Sequence, residues 1–193
     1  MAILVAALAF IHGANPNLDP VKRFLSQYAR AGQSVWFDLG VIALGTGALA
    51  LAVGMSRYLR RSLPRDVGLV CLVMFGICSF LVAGFHTDGG TGGHTYGGLV
   101  HAWSAVAATL LVLIGALLFT FEFFQDQRWR PVAAASALLF AASSVLSLCV
   151  VIFAQSFVKG LIERGGLALI LAWFLLVAVR LYQVAADSQR ADT

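Results

Sequence analysis

The chain has 193 residues, of which 60% are hydrophobic and 11% charged; its formal charge is +4 and its mean hydropathy +0.88. Soluble domains carry about 25% charged residues, so this composition does not suit a water-exposed surface. The basic residues collect in short connections between apolar runs and do not interleave with aromatics on one polar surface, which argues against a nucleic-acid partner.

The length suits one domain of several spans, each needing about 20 apolar residues. Residues 1–13 are apolar but too few to cross a bilayer, so the first helix is expected to be short or truncated. The polar stretch 16–33 places Val21, Phe24, Leu25 and Tyr28 at helical spacing, with Lys22, Arg23 and Arg30 facing elsewhere. This predicts an amphipathic helix lying in the membrane interface.

A second span is expected over 35–57, with Ser34 as N-cap and Asp38 near the positive end of the helix dipole. Gly40, Gly47 and Gly54, with Ala43 and Ala50, form a stripe of small residues where another helix can approach closely, within the chain or from a membrane-protein partner. The loop with Arg57, Arg60, Arg61 and Arg65 marks the cytoplasmic side. Spans over 67–85, 99–124, 132–157 and 161–184 complete an all-α polytopic bundle of about six helices, one transmembrane domain over 1–193. Ser136, Ser143 and Ser147 share one face of the fifth, where serines bond to their own carbonyls or to a neighbouring helix. Cys71, Cys78 and Cys149 all fall in apolar segments, the pattern of small buried hydrophobes and not of a disulfide framework. Eight Lys and Arg then lie inside and five outside, which orients both termini towards the cytoplasm.

Residues 85–101, FHTDGGTGGHTYGGLVH, stand out between the third and fourth spans. They hold three of the four histidines (His86, His94 and His101), together with Asp88 and six glycines, on the extracytoplasmic side. Imidazole and carboxylate at this depth suit three uses. His86, Asp88 and His101, with His94 further along the loop, form a donor set for zinc or another divalent ion, although no HExxH spacing accompanies them. His86 and His101, at similar depth on adjacent helices, are the residues that would serve as axial haem ligands. With Asp38, Glu163 and Arg164 on the same face, the loop would instead hold a lipid headgroup or pass a proton, Arg164 being suited to a phosphate. The plain alternative is a hydrogen-bonded loop in which His101 and Asp88 cap helix ends and the glycines make turns.

The segment NPNLDPVKRFLSQYARAG before a span opening FDLG, the FHTD that closes the third span, the LVHAWSA that opens the fourth and the last helix GLIERGGLALILAWFLLVAVRL together resemble a family of bacterial and archaeal membrane proteins catalogued as domain of unknown function 998. More distantly, the chain is similar to eukaryotic groups linked to lipid remodelling. The resemblance implies a compact six-helix protein of a bacterial or archaeal inner membrane, and it implies no activity. The function expected on all these grounds is binding of a lipid or apolar ligand at the extracytoplasmic side through His86, Asp88, His94, His101 and Asp38, with Glu163 and Arg164. The alternatives are a metal-dependent lipid hydrolase and an accessory subunit of a larger membrane complex.

Overall fold

The computed structural model describes residues 2–28, 34–88 and 95–191, and every regular element among them is helical. In chain order these are α1 (Ala2–Ala14), α2 (Leu25–Tyr28), α3 (Ser34–Tyr58), α4 (Leu63–Gly84), α5 (Tyr96–Gln125), α6 (Arg130–Ile152) and α7 (Lys159–Ala191). Helices α3 to α7 are long and apolar enough to cross a membrane. With 13 residues, α1 reaches only about 20 Å and falls short of the roughly 30 Å hydrocarbon layer. The chain is a polytopic helical bundle.

Helix starts follow local chemistry. Ser62 accepts from Arg65 N at 3.2 Å and Pro64 sits in the first turn, so α4 begins four residues before the apolar run that marks it in the sequence. Thr95 accepts from Gly98 N at 3.0 Å and starts α5 in the same way. At the far end of α6, residues 153–158 are turns, so that helix stops at Ile152, short of the 157 expected.

Helix α4 lies between α3 and α5, α5 packs on α6, α6 on α7, and α7 closes back against α3, while α1 runs along α3. Close approach of α3 and α4 rests on two glycines: a Cβ on Gly45 would lie 3.0 Å from Gly76 O, and one on Gly76 would lie 3.1 Å from Gly45 O. The core contains Met55, Leu72, Phe75, Phe119, Phe123, Trp173 and Val177. Three helices are stitched through it, because Ser136 Oγ sits 2.5 Å from Thr120 Oγ1 and accepts from Trp173 Nε1 at 2.8 Å. Leu138, Val145, Leu148 and Val151 leave the outer face of α6 exposed, as a lipid-facing helix requires.

Most of the small-residue stripe on α3 is used within the chain. Gly40 is met by Leu4 and Ala7 of α1, and Gly54 by Leu181 of α7. Gly47 alone of the three meets nothing, and lines an apolar groove of about 120 Å³ with Ala43, Leu44, Leu51, Phe174 and Ala178.

The amphipathic helix expected over 16–33 is different in the structure. Residues 15–24 are mainly turns, and the only helix among the described residues of this stretch is the single turn α2. Asp19 Oδ1 accepts from Val21 N at 2.9 Å and Arg23 N bonds Asp19 O, a single helical turn capped by the aspartate that is not continued. The backbone bond from Val21 N, followed by Lys22, holds the Asp19 carboxyl below its ordinary range.

Candidate functional site

The bundle has two unlike ends. The histidine rim carries segment 15–28, the start of α3, the α4–α5 connection and the start of α7; the arginine rim carries the α3–α4 and α5–α6 connections. Every candidate residue named from the sequence that the structure describes lies at the histidine rim, and His94 lies outside the described residues.

Asp38, on the second turn of α3, reaches across to the residue two past the end of α4: its Oδ2 is 3.2 Å from His86 Nε2. The ring nitrogen donates, because a carboxylate only accepts. His86 is half-exposed and Asp38 mostly covered, and Asp38 Oδ1 is buried with no hydrogen-bond donor among the described residues. Beside this end of α3, the exposed rings of Phe10 and Trp36 meet at 4.8 Å.

His101 and Asp88 hold the chain on either side of His86. The ring of His101 is buried and its Nδ1 donates to Phe85 O at 2.7 Å, with Val82 O at 3.2 Å, so it satisfies carbonyls left over at the end of α4. Asp88 accepts from Thr95 N at 3.0 Å and Thr95 Oγ1 at 2.5 Å, at the start of α5. Its carboxylate lies over Gly98, where a Cβ would come within 1.9 Å of Oδ2. His86 is therefore presented between two clamped neighbours.

Among the described residues, no three His, Cys, Asp or Glu side chains gather in a way that would hold a metal ion. His86, Asp88 and His101 each bond a different partner: Asp38, the start of α5 and the end of α4.

Glu163 and Arg164, on the second turn of α7, form a second constellation. Glu163 Oε2 accepts from Leu25 N at 2.7 Å. Arg164 donates from Nη1 to Arg23 O at 2.8 Å and Gly160 O at 2.9 Å, and from Nε to His12 Nε2 at 3.0 Å. Its guanidinium lies over the Tyr28 ring, 5.2 Å from the centroid, and His12 packs on the same ring at 4.7 Å. Tyr28 donates to Leu18 O at 2.6 Å, and burial pushes its hydroxyl above the ordinary tyrosine value. Segment 15–28 thereby becomes a cover over an apolar cluster of Ile11, Leu25, Tyr28, Phe37 and Val82.

His12 was the histidine that sequence reasoning passed over, because it ends a short apolar run and its partner lies 152 residues away. Glu122 was also missed. It is 1% exposed near the end of α5, with Arg60 Nε 3.9 Å away. Its signal was present, since a lone acid inside an apolar span is costly and by default marks a site.

The description "Protein of unknown function (DUF998)" belongs to a family model that matches residues 1–180. Comparison with curated proteins and with solved structures gives no match. The match runs through all five long helices and both constellations of the histidine rim, and the chain belongs to the DUF998 family.

Proposed function

We propose that this membrane protein binds a lipid headgroup at its extracytoplasmic rim through Asp38 and His86. The observation that carries the reading is Asp38 Oδ1, a buried acceptor with no donor among the described residues, next to a half-exposed imidazole. A buried carboxylate oxygen left unpaired is costly, and a headgroup bearing N–H or O–H donors satisfies it. The exposed Phe10 and Trp36 rings suit the membrane–water interface. In this reading Asp88 and His101 position His86 and do not touch the ligand. The extracytoplasmic placement rests on the arginine bias of the opposite rim.

Losing a hydrogen bond to a charged group costs about 1.5–3 kcal/mol, so Asp38→Asn should retain lipid about tenfold less well or worse. Native mass spectrometry of protein released from nanodiscs reads the number and class of lipids carried. His86→Ala should lower the count in the same class, and an unchanged count in both variants overturns the proposal.

A further inference from the structure

We propose that segment 15–28 is a proton-controlled gate over the histidine rim, closed while His12 is neutral and opened when it takes up a proton. What the gate admits rests on the lipid reading above; the closure itself does not.

The geometry fixes the protonation state of the closed form. A guanidinium N–H only donates, so His12 Nε2, 3.0 Å from Arg164 Nε, must be the accepting nitrogen. The ring hydrogen then sits on Nδ1 and is donated to Leu8 O at 2.6 Å. Both nitrogens are committed, and only the neutral imidazole satisfies both contacts. A second ring proton would set N–H against N–H and bring a positive charge to the face of the Arg164 guanidinium.

The residue displaced is also the clasp of the cover. Arg164 donates to Arg23 O within the segment and lies over Tyr28, which in turn holds Leu18 and packs against His12. From α7 the neighbouring charges are Arg164 and Glu163, and Glu163 Oε2 accepts from Leu25 N. From α2 the titratable group is Tyr28, and within the cover Asp19 pairs with Lys22 at 3.2 Å. Arg23 reaches the site through its carbonyl, and Lys159 lies over Phe24. From α3, the helix that packs on α1, the acid at this rim is Asp38, which pairs with His86.

Ties that do not involve Arg164 suit a hinge: Gly160 N and Leu161 N both bond Val21 O, at 2.9 and 3.2 Å, and Leu25 N bonds Glu163 Oε2. Beneath the cover, Leu25 and Tyr28 pack with Phe37, which precedes Asp38 in the chain, and with Val82, whose carbonyl faces His101. Opening therefore uncovers apolar surface beside the Asp38–His86 pair. Closure is present while His12 Nε2 accepts from Arg164 and is lost when that nitrogen carries a proton.

Hydrogen exchange of the full chain in nanodiscs tests this, with His12→Gln as the non-titrating control, so that at each pH the intrinsic rates are matched. At about pH 7.5 the two proteins should exchange segment 15–28 equally; at about pH 5 the wild type should exchange it about tenfold faster than the variant, with α4 unchanged. Equal protection in the wild type and His12→Gln at both pH values overturns the gate. Acid opening that persists in His12→Gln overturns it too, by assigning the effect to another group. Arg164→Gln removes the clasp without adding charge and should leave the segment fast at both pH values; protection in that variant also refutes the gate. Acid opening that depends on His12, together with lipid retention unmoved by Asp38→Asn, would sink the lipid site and leave the gate standing.

Discussion

The two rims of the bundle are built in different ways. At the arginine rim, a stack of buried rings is joined by polar contacts both near and far in sequence. Arg65 pairs with Asp66 at 2.5 Å and bonds Ser56 O, and Asp126 binds Arg128 at 3.0 Å. Burial alone would raise the Asp126 carboxyl, but hydrogen bonds from the Arg128 side chain and N–H, with the charges of Arg128 and Arg60, hold it net below its ordinary range. The fully buried Trp129 stacks on Phe123 at 4.9 Å and donates to Tyr58 O. At the histidine rim the ties span 48 residues between Asp38 and His86, 138 between Leu25 and Glu163 and 152 between His12 and Arg164. One rim combines ring packing with ion pairs; the other closes largely through side-chain hydrogen bonds between segments far apart in the chain.

The contrast can be broken by substitution, beginning with the heaviest blow. Trp129→Ala removes a ring that is fully enclosed, and large-to-small core changes of this kind cost about 3–5 kcal/mol. Unfolding in mild detergent should show that loss, while hydrogen exchange of segment 15–28 stays as in the wild type; a loosened cover would mean that the rims are coupled. Gly160→Ala should come next. The added Cβ would lie 2.4 Å from Arg23 O and 2.6 Å from Pro20 O, both backbone atoms of the cover. Overpacking costs about 1–3 kcal/mol, and here it should appear as lost protection of residues 18–28 with α4 unaffected. Asp88→Ala sharpens the comparison with the smallest change. It removes two bonds to Thr95 at an exposed helix start, worth about 1 kcal/mol, and should lower the melting temperature slightly while freeing His86. A loss as large as that of Trp129→Ala would mean that the histidine rim carries the bundle's stability.

The bundle was readable from the sequence because the bilayer demands runs of about 20 apolar residues, and nothing else explains five of them in 193. The histidine rim was readable as a place, since a polar, glycine-rich stretch between apolar helices has to sit at an end. Its pairings were not. Nothing in the spacing of Asp38 and His86 states that two helix ends meet there, and His101 reads as a ligand until the free carbonyls of Val82 and Phe85 claim its Nδ1. Over the described part of 16–33 the apolar spacing was present, but apolar periodicity does not register that this stretch is tied by its backbone to α7 through Val21 O and Leu25 N.

The last helix has a practical consequence. With 33 residues, α7 extends about 50 Å, well beyond a hydrocarbon layer of about 30 Å. Because its opening turn is anchored among the clasps of the histidine rim, the surplus emerges at the opposite end as a rod bearing Gln183, Asp187 and Arg190. A rigid domain grafted in helical register onto that rod would stand clear of the lipid and give a small protein an orientation marker for electron microscopy.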